Sequence, residues 1–565
     1  MNIIGFSLTK HDDSICLIED NILKNHYQLE RYSRIKKNVF DRSNKKLSIQ
    51  YKNVNFILKD ILKKDSIIAT SLVTGYNNKK NKYFIDKILK KDLEIPKKIE
   101  EKANKFNNFK DYIYIKEKNI YYIDHHQAHS AYSYYTSNFE EADMLAYDGY
   151  GYRYQSTFTQ SNGNILNTGR GSENPDFFIG QLWSYLSRLT TGKNFKDGTI
   201  MALAAYGNVS EKILKIFEDA YEHAKIGYPS NKFFEEENNY DFVFFSKLIN
   251  KNIQNTILDV MATLQYYSTE LTINSLIKYK TSENLCISGG CALNGYINEE
   301  ILKRKIYKKI HVPPAASDEG QSIGCALHAL YNLNGIRINF DNPKKIIYLG
   351  EQHKLPADKN INYMKDDKLF KFISKKISEG YVIGWYQGCS ESGPRALGNR
   401  SILADPRNSK MKNHLNRKIK RRGWFRPFAP SILREEIENW FEVNGEPDSP
   451  YMTRIMKYKN NMEELVPAVN HNDNTARIQT VTKDINPRYY KLIKEFFKLT
   501  NIPILLNTSF NGNNEPIVET PEDAMSCFEK NNIDILVLEN YVYYRNNDEN
   551  IKPFIEESNV DGNDR

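Results

Sequence analysis

Short apolar, strand-like runs recur along this chain, several ending in Asp or Gly and leading into a helical pattern. That alternation constrains the fold more than any other feature: it requires α/β architecture with largely parallel sheets. Ile3–Ser7 and Ile15–Ile18 flank a polar turn, Thr9-Lys10-His11-Asp12-Asp13, and read as a hairpin. Tyr121–Ile123 leads into a His-rich helix start, Met144–Tyr147 runs into Asp148-Gly149, and Asn284–Ser288 ends in Gly289-Gly290 before another helix. Residues 211–282 read mainly as helices, and the Lys- and Asn-rich stretch 77–118 as solvated helices. From Leu333 to Asp366 the chain mixes Asn, Pro and Lys with one short strand, Ile346–Leu349, which suits a connection between two parts. The strand Tyr381–Trp385 then opens a second α/β segment reaching about Tyr544.

Length supports that division. At 565 residues the chain exceeds what one hydrophobic core serves. A content of 40% hydrophobic, 26% charged and 12% aromatic residues excludes the disordered and fibrous classes. The longest apolar runs, such as Ile502–Leu506, fall far short of the ~18 residues a membrane helix needs. His11-Asp12-Asp13 cuts short any leader-peptide core, and six scattered cysteines form no framework or CxxC site, so a reducing cytoplasm is expected. The net charge of +9 is mild, compatible with an anionic small substrate or with RNA.

Three constellations carry chemistry. The first is Asp124-His125-His126-Gln127-Ala128-His129. If the chain turns helical after Ile123, His125 and His129 lie four apart on one face and reach one metal, while Asp124 caps the helix. No Glu follows the first His, so the zinc-protease pattern is absent. Asp148 and Asp318 sit where open α/β sheets bind ligands, although each is also an ordinary turn residue. Joined to the histidines they make a His2Asp2 set better suited to Fe²⁺, Mn²⁺ or Zn²⁺ than to Mg²⁺ or Ca²⁺.

Second, Gly289, Gly290 and Asn294 follow a strand at a helix start, which fits an anion or nucleotide site, or merely a tight turn. Third, Gly393-Pro394-Arg395-Ala396-Leu397-Gly398-Asn399-Arg400 and the run Asn416–Pro430 interleave Arg395, Arg400, Lys420 and Arg426 with Gly, Pro and apolar residues. Pocket arginines bind phosphate oxygens in pairs of hydrogen bonds, so a small-anion pocket is one reading and an RNA groove the other. Trp424, Phe425 and Phe428 among prolines read as core, which weakens the RNA reading. Arg477, Asn507, Ser509 and Asn511 add polar groups near a strand end.

These motifs, with Glu30-Arg31-Tyr32-Ser33-Arg34, Met201–Gly207 and Glu515-Pro516-Ile517-Val518, follow one another almost end to end. In that order the chain closely resembles the O-carbamoyltransferases of the nodulation-factor, cephalosporin and aminoglycoside type. The resemblance implies an actin/Hsp70-type, threonylcarbamoyl-transferase-like unit over 1–340, a linker 341–365, a YrdC-like unit over 366–548 and a polar tail 549–565. It implies carbamoyl-adenylate formation from carbamoyl phosphate and ATP, then transfer to a hydroxyl. The metal, usually iron, would be held by His125, His129, Asp148 and Asp318, with Mg²⁺ compatible with the nucleotide. Arg395, Lys420, Arg426, Arg477, Asn507, Ser509 and Asn511 would line the carbamoyl phosphate and ATP site.

His11 matches the family's histidine near the acceptor, with Asp12 and Asp197 sharing candidacy as transfer base, and Lys36 matches a lysine facing the adenylate. The expected partner is a small-molecule hydroxyl, with neither membrane nor nucleic acid; a homodimer is compatible. Two departures stand out: Asp197-Gly198-Thr199 replaces the relatives' Glu-Gly-Lys, and Asn507 stands where some relatives carry a longer basic residue. The rival readings are a tRNA threonylcarbamoyl-modification enzyme and a nucleotide-binding regulator with a dead site.

Overall fold

The computed structural model describes residues 2–7, 12–36, 57, 61, 66–72, 114–117, 120–149, 156–162, 165–167, 179–191, 197–218, 253–340, 342, 344–355, 362–548 and 550–553. Three sheets organise them. The first contains β1 (Asn2–Ser7), β2 (Ser14–Glu19), β3 (Ile22–Gln28), β4 (Ile67–Leu72), β5 (Tyr114–Glu117) and β6 (Ile120–Asp124), in the order β3-β2-β1-β4-β6-β5. The second contains β7 (Ala142–Tyr147), β8 (Ser156–Asn162), β9 (Ile165–Asn167), β10 (Asn284–Ser288) and β11 (Lys309–His311), in the order β11-β10-β7-β8-β9.

The two sheets repeat one plan. An antiparallel meander, β1-β2-β3 or β7-β8-β9, is extended from its first strand by two parallel strands, β4 and β6 or β10 and β11. Burial explains the central strands. NIIGFS and ADMLAY, the sequences of β1 and β7, are buried at every position, as strands covered on both faces require. The two-residue turn between β2 and β3, Asp20-Asn21, takes positive φ at both positions, which matches the twist of a tight hairpin.

The third sheet has nine strands: β12 (Asn362–Tyr363), β13 (Ile383–Tyr386), β14 (Arg400–Ala404), β15 (Ala429–Leu433), β16 (Arg454–Lys457), β17 (Thr475–Val481), β18 (Ile504–Ser509), β19 (Ile535–Leu538) and β20 (Tyr541–Tyr544). Its order is β12-β20-β19-β13-β14-β18-β15-β17-β16. Helices Asp366–Ser378, Pro487–Thr500 and Pro521–Lys530 accompany it, around a core that includes Trp385, Leu403, Ile432, Phe496 and Leu536.

Two helices bring the first two sheets to one centre. The helix His125–Tyr135 follows β6 and is capped by Asp124, whose Oδ1 accepts from the amides of His126 (2.9 Å) and Gln127 (3.1 Å). The helix Gln321–Asn334 crosses it closely. A Cβ on Gly324 would stand 1.9 Å from the Ala128 carbonyl oxygen, so only glycine permits the approach.

The third sheet is fastened to the others by buried polar contacts. His26 Nδ1 lies 3.0 Å from Ser392 Oγ, Arg31 Nη2 donates to the Gly393 carbonyl at 2.7 Å, and Arg454 Nε meets Glu299 Oε2 at 2.7 Å.

Three sequence expectations are corrected. The sheets are mixed rather than largely parallel, and antiparallel pairs dominate the third. Ile346–Leu349 is not a strand: Lys344–Ile347 forms a helical turn that buries Ile346 and Ile347, so burial rather than β-branching decides it. Within 77–118, residues 114–117 form β5 against β6, and residues 77–113 lie outside the described residues. Residues 211–218 and Ile253–Tyr279 are helical as expected, with 219–252 outside the described residues.

Candidate active site

The two helices and two strand ends assemble four donors. His125 and His129 project from successive turns of the histidine helix, Asp148 follows β7, and Asp318 opens the short turn Asp318–Gly320 before Gln321–Asn334. His125 Nε2 stands 3.0 Å from Asp148 Oδ2 and 3.7 Å from Asp318 Oδ1. His129 Nε2 stands 3.4 Å and 3.3 Å from the same two atoms. All four donor atoms lie within 4.8 Å of one another.

Both histidines and Asp318 are buried, and Asp148 is nearly so. Burial pushes the His129 pKa down, but the Asp148 and Asp318 carboxylates more than reverse this and hold it up at about 9. Burial likewise opposes the Asp148 charge, yet His125 and His129 keep its carboxyl well below the usual range. Two buried carboxylates thus draw positive charge to this point, and the donor set fits a divalent transition metal.

The glycine turn serves the same centre. Gly289 takes φ +94° beneath Tyr147, and its amide donates to the Ala316 carbonyl at 2.6 Å. The amides of Gly149 (2.7 Å) and Gly290 (3.3 Å) both reach Asp148 Oδ1 and orient that carboxylate. Asn294 caps the helix Gly295–Lys303 and pairs with Gln265. The turn therefore spends these groups on the protein, with Gly290 directed to Asp148.

A second cluster forms on the third sheet. Lys420, at the end of the π-helical turn Leu415–Ile419, is buried; its Nζ donates to the Ser509 carbonyl, the Asn511 carbonyl (3.0 Å) and Asn511 Oδ1 (2.6 Å). Burial and neighbouring Arg422 and Lys36 depress its pKa well below that of an ordinary lysine. Arg395, Arg422, Arg426 and Arg477 stand close enough to depress one another. Burial and Arg426 lower Arg395 to about 10 and Arg422 to about 9, and Arg477 lies well below the normal range.

The Nε atoms of Arg395 and Arg477 are buried without a hydrogen-bond partner among the described residues. Half-buried, mutually repelling guanidiniums with unspent donors describe an anion site.

Arg400 differs. It is fully buried, its guanidinium donates to the Gln387 (2.7 Å), Asn399 (3.1 Å), Gly388 (3.0 Å) and Glu519 (3.3 Å) carbonyls, and it lies 3.5 Å over the Tyr386 ring. It braces the loop and is removed from the pocket. Asn507 is also buried: its Nδ2 donates to the Ala396 carbonyl (3.1 Å), Ser431 Oγ (3.0 Å) and Gln479 Oε1 (2.9 Å). Trp424 overturns the reading of its segment as core, being 56% exposed, while Phe428 is buried.

One contact ties the arginine cluster to a helix that starts near the donor centre. Arg426 Nη1 donates to Thr199 Oγ1 at 2.5 Å, and Thr199 belongs to the helix Asp197–Ala204. Asp197, at the start of that helix, and Asp148 both push up the Cys291 thiol after burial has done so, which sets Asp197 beside the donor cluster. Asp12 lies near Glu319, whose carboxyl burial and Asp12 raise to about 8. Lys36 faces Lys420. His11 lies outside the described residues.

Sequence reasoning missed two residues. Arg422 is recoverable from its place two residues after Lys420. Gln321, three residues after Asp318 at a helix start, carries no sequence signal of its own.

Comparison with known proteins identifies the family of the chain. Residues 2–327 match the family model "Carbamoyltransferase N-terminus" and residues 374–545 match "Carbamoyltransferase C-terminus". An uncharacterized Synechocystis protein, sll1178, is 31% identical over 96% of this chain and 96% of its own. Nodulation protein NolNO of Sinorhizobium fredii is 32% identical over 75% of this chain and 64% of its own, and nodulation protein NolO of Bradyrhizobium diazoefficiens 31% over 74% and 78%. Full-length HypF, solved in a phosphate- and nucleotide-bound form, is similar at a TM-score of 0.31 and 14% identity over 60% of this chain and 47% of that one, too slight to bear on the fold.

An α/β enzyme with a four-donor centre and an arginine pocket is the class these observations define. The chain belongs to the carbamoyltransferase family and is a carbamoyltransferase.

Proposed function

We propose that this carbamoyltransferase is ATP-dependent and works in two steps on two units. Residues 366–548, as a YrdC-like unit joined by the linker 341–365, make carbamoyl-adenylate. Hydrolysis of carbamoyl phosphate releases phosphate, the carbamate oxygen attacks the α-phosphorus of ATP, and pyrophosphate leaves. Residues 1–340, as an actin/Hsp70-type unit, then pass the carbamoyl group to a hydroxyl of a small molecule, releasing AMP. The repeated plan of the first two sheets supports the second assignment.

What carries the reading is the arginine cluster with unspent donors, tied by Arg426 to Thr199 on the helix whose first residue, Asp197, lies near the four-donor centre. Arg395, Arg426 and Arg477 hold phosphate oxygens and stabilise the charge that develops on them. Lys420, aimed by Ser509 and Asn511, adds a compact cation to that pocket. A cationic pocket of this kind lowers the barrier mainly by being fixed before the reaction begins.

His125, His129, Asp148 and Asp318 hold a divalent metal, Fe²⁺ in our reading, with Mn²⁺ or Zn²⁺ as alternatives. When bound, it supplies Lewis-acid polarisation of oxygen. His11, Asp12 or Asp197 takes the acceptor's proton, a contribution of ~10²–10⁴-fold for a positioned base.

The test is direct. The protein incubated with ATP and carbamoyl phosphate releases pyrophosphate and forms carbamoyl-adenylate. Absence of both refutes the reading, and pyrophosphate that depends on threonine and bicarbonate without carbamoyl phosphate favours the tRNA-modification alternative.

A further inference from the structure

Gln321 occupies an unusual position. It is the first residue of the helix that follows Asp318, it is fully buried, and its carboxamide nitrogen points into the four-donor cluster. Nε2 lies 3.0 Å from Asp318 Oδ1, 3.0 Å from His129 Nε2, 3.1 Å from His125 Nε2 and 2.8 Å from His125 Nδ1. A carboxamide nitrogen has two hydrogens to give. Meanwhile Gln321 Oε1, at the other end of the same group, is buried with no hydrogen-bond partner among the described residues. One end is oversupplied with lone pairs, and the other is stranded. A buried acceptor left without a donor is costly.

A half-turn of the terminal amide exchanges the two ends. It sets Oε1 about 3 Å from two imidazoles, whose N–H groups can donate to it, and from the Asp318 carboxylate oxygen, which repels it unless a cation lies between them. The spacing has a meaning of its own. Donors bound at ~2.1 Å to one ion, at right angles, stand about 3.0 Å apart. Gln321 therefore keeps from His129 and Asp318 the separation that adjacent corners of one coordination shell keep, while its 2.8 Å contact with His125 Nδ1 sets it against that ring.

We infer that Gln321 is a fifth ligand of the proposed metal, binding through its carboxamide oxygen. This rests on the reading that the four donors hold a metal. It adds no charge to a set in which two carboxylates already balance a divalent ion. Five protein ligands also exceed the four of a closed tetrahedral site, favouring metals that accept five or six.

The experiment uses full-length protein stripped of metal and titrated with Co²⁺, whose visible ligand-field band intensifies as coordination number falls. Binding is read by competition with a chelator. Gln321→Leu fills the same space without a donor, and Gln321→Glu retains an oxygen. The leucine variant is expected to bind one Co²⁺ with a more intense band and with affinity reduced by at least the ~10-fold that loss of a supporting partner costs. The glutamate variant keeps the wild-type band, which also serves if the leucine variant fails to fold, because a changed band in Gln321→Glu overturns oxygen ligation.

Weaker binding by Gln321→Leu with an unchanged band makes Gln321 a positioning residue and overturns its ligation alone. Wild-type protein that binds no Co²⁺, like His129→Ala, overturns the metal reading and this inference together.

Discussion

Arg395→Met separates a binding site from a structural one, because the two predict opposite effects on stability. In the ligand-free protein, burial and Arg426 lower the Arg395 pKa from 12.5 to about 10, which corresponds to about 3 kcal/mol of cost in keeping it charged. Solvent at the half-buried head screens part of this and leaves about 1–2 kcal/mol. Its Nε has no hydrogen-bond partner among the described residues, so removal strands no acceptor there.

Methionine retains the apolar stem and relieves the repulsion. The variant is expected to melt unchanged or up to about 2–4 °C higher. Loss of a charged hydrogen bond to a phosphate costs about 1.5–3 kcal/mol, so kcat/KM for pyrophosphate release from ATP and carbamoyl phosphate falls about 10- to 100-fold. Arg400→Met is the control. It strips four backbone carbonyls of their donor and should destabilise by about 3–5 kcal/mol. Thermal melts and a pyrophosphate assay decide. A fall in Tm for Arg395→Met as large as that for Arg400→Met, with pyrophosphate release intact, refutes the reasoning.

Other consequences follow from the same geometry. Lys420→Ala removes a buried cation held by Ser509 and Asn511 and should cut pyrophosphate release by at least ~10²-fold, read in the same assay. Arg454→Ala leaves Glu299 buried and unpaired where the helix Gly295–Lys303 meets β16, and urea titration should show a loss of about 3–5 kcal/mol. His311 and His328 are held neutral by burial, with pKa values of about 3 and about 4 against the ordinary 6.5. The unfolded chain binds protons that the fold refuses, so the stability they contribute is complete above pH 6.5. It is lost as pH falls toward 4, at about 1.4 kcal/mol per pH unit for each histidine. His328→Gln should flatten the acid limb of the urea midpoint by one such increment; an unchanged slope contradicts the burial argument.

Much of the donor cluster was legible in sequence because it follows from local rules. His125 and His129 share a helix face by spacing, and Asp148 and Asp318 stand at strand and turn ends that α/β sheets present to ligands. What residue type and spacing alone could not separate was Arg395 from Arg400. They are five residues apart in the same Gly-rich run, and only the carbonyls converging on Arg400 show that it is spent on structure. Trp424 misled for a similar reason: its neighbours Phe428 and Ile419 are buried, but the exposed turn between them is set by tertiary packing. Ile346–Leu349 failed as a strand because a four-residue apolar run carries no period, and contact with the core decided its form. Gln321 was silent because glutamine at a helix start signals nothing until the fold brings two distant histidines to it.

The central claim is that adenylate formation and carbamoyl transfer belong to different clusters of one chain. Mass spectrometry of His125→Ala supplied with ATP, carbamoyl phosphate and no acceptor tests it most directly. The account predicts pyrophosphate release and accumulation of carbamoyl-adenylate at wild-type levels. A variant that releases no pyrophosphate and forms no adenylate, while melting at the wild-type temperature, contradicts it.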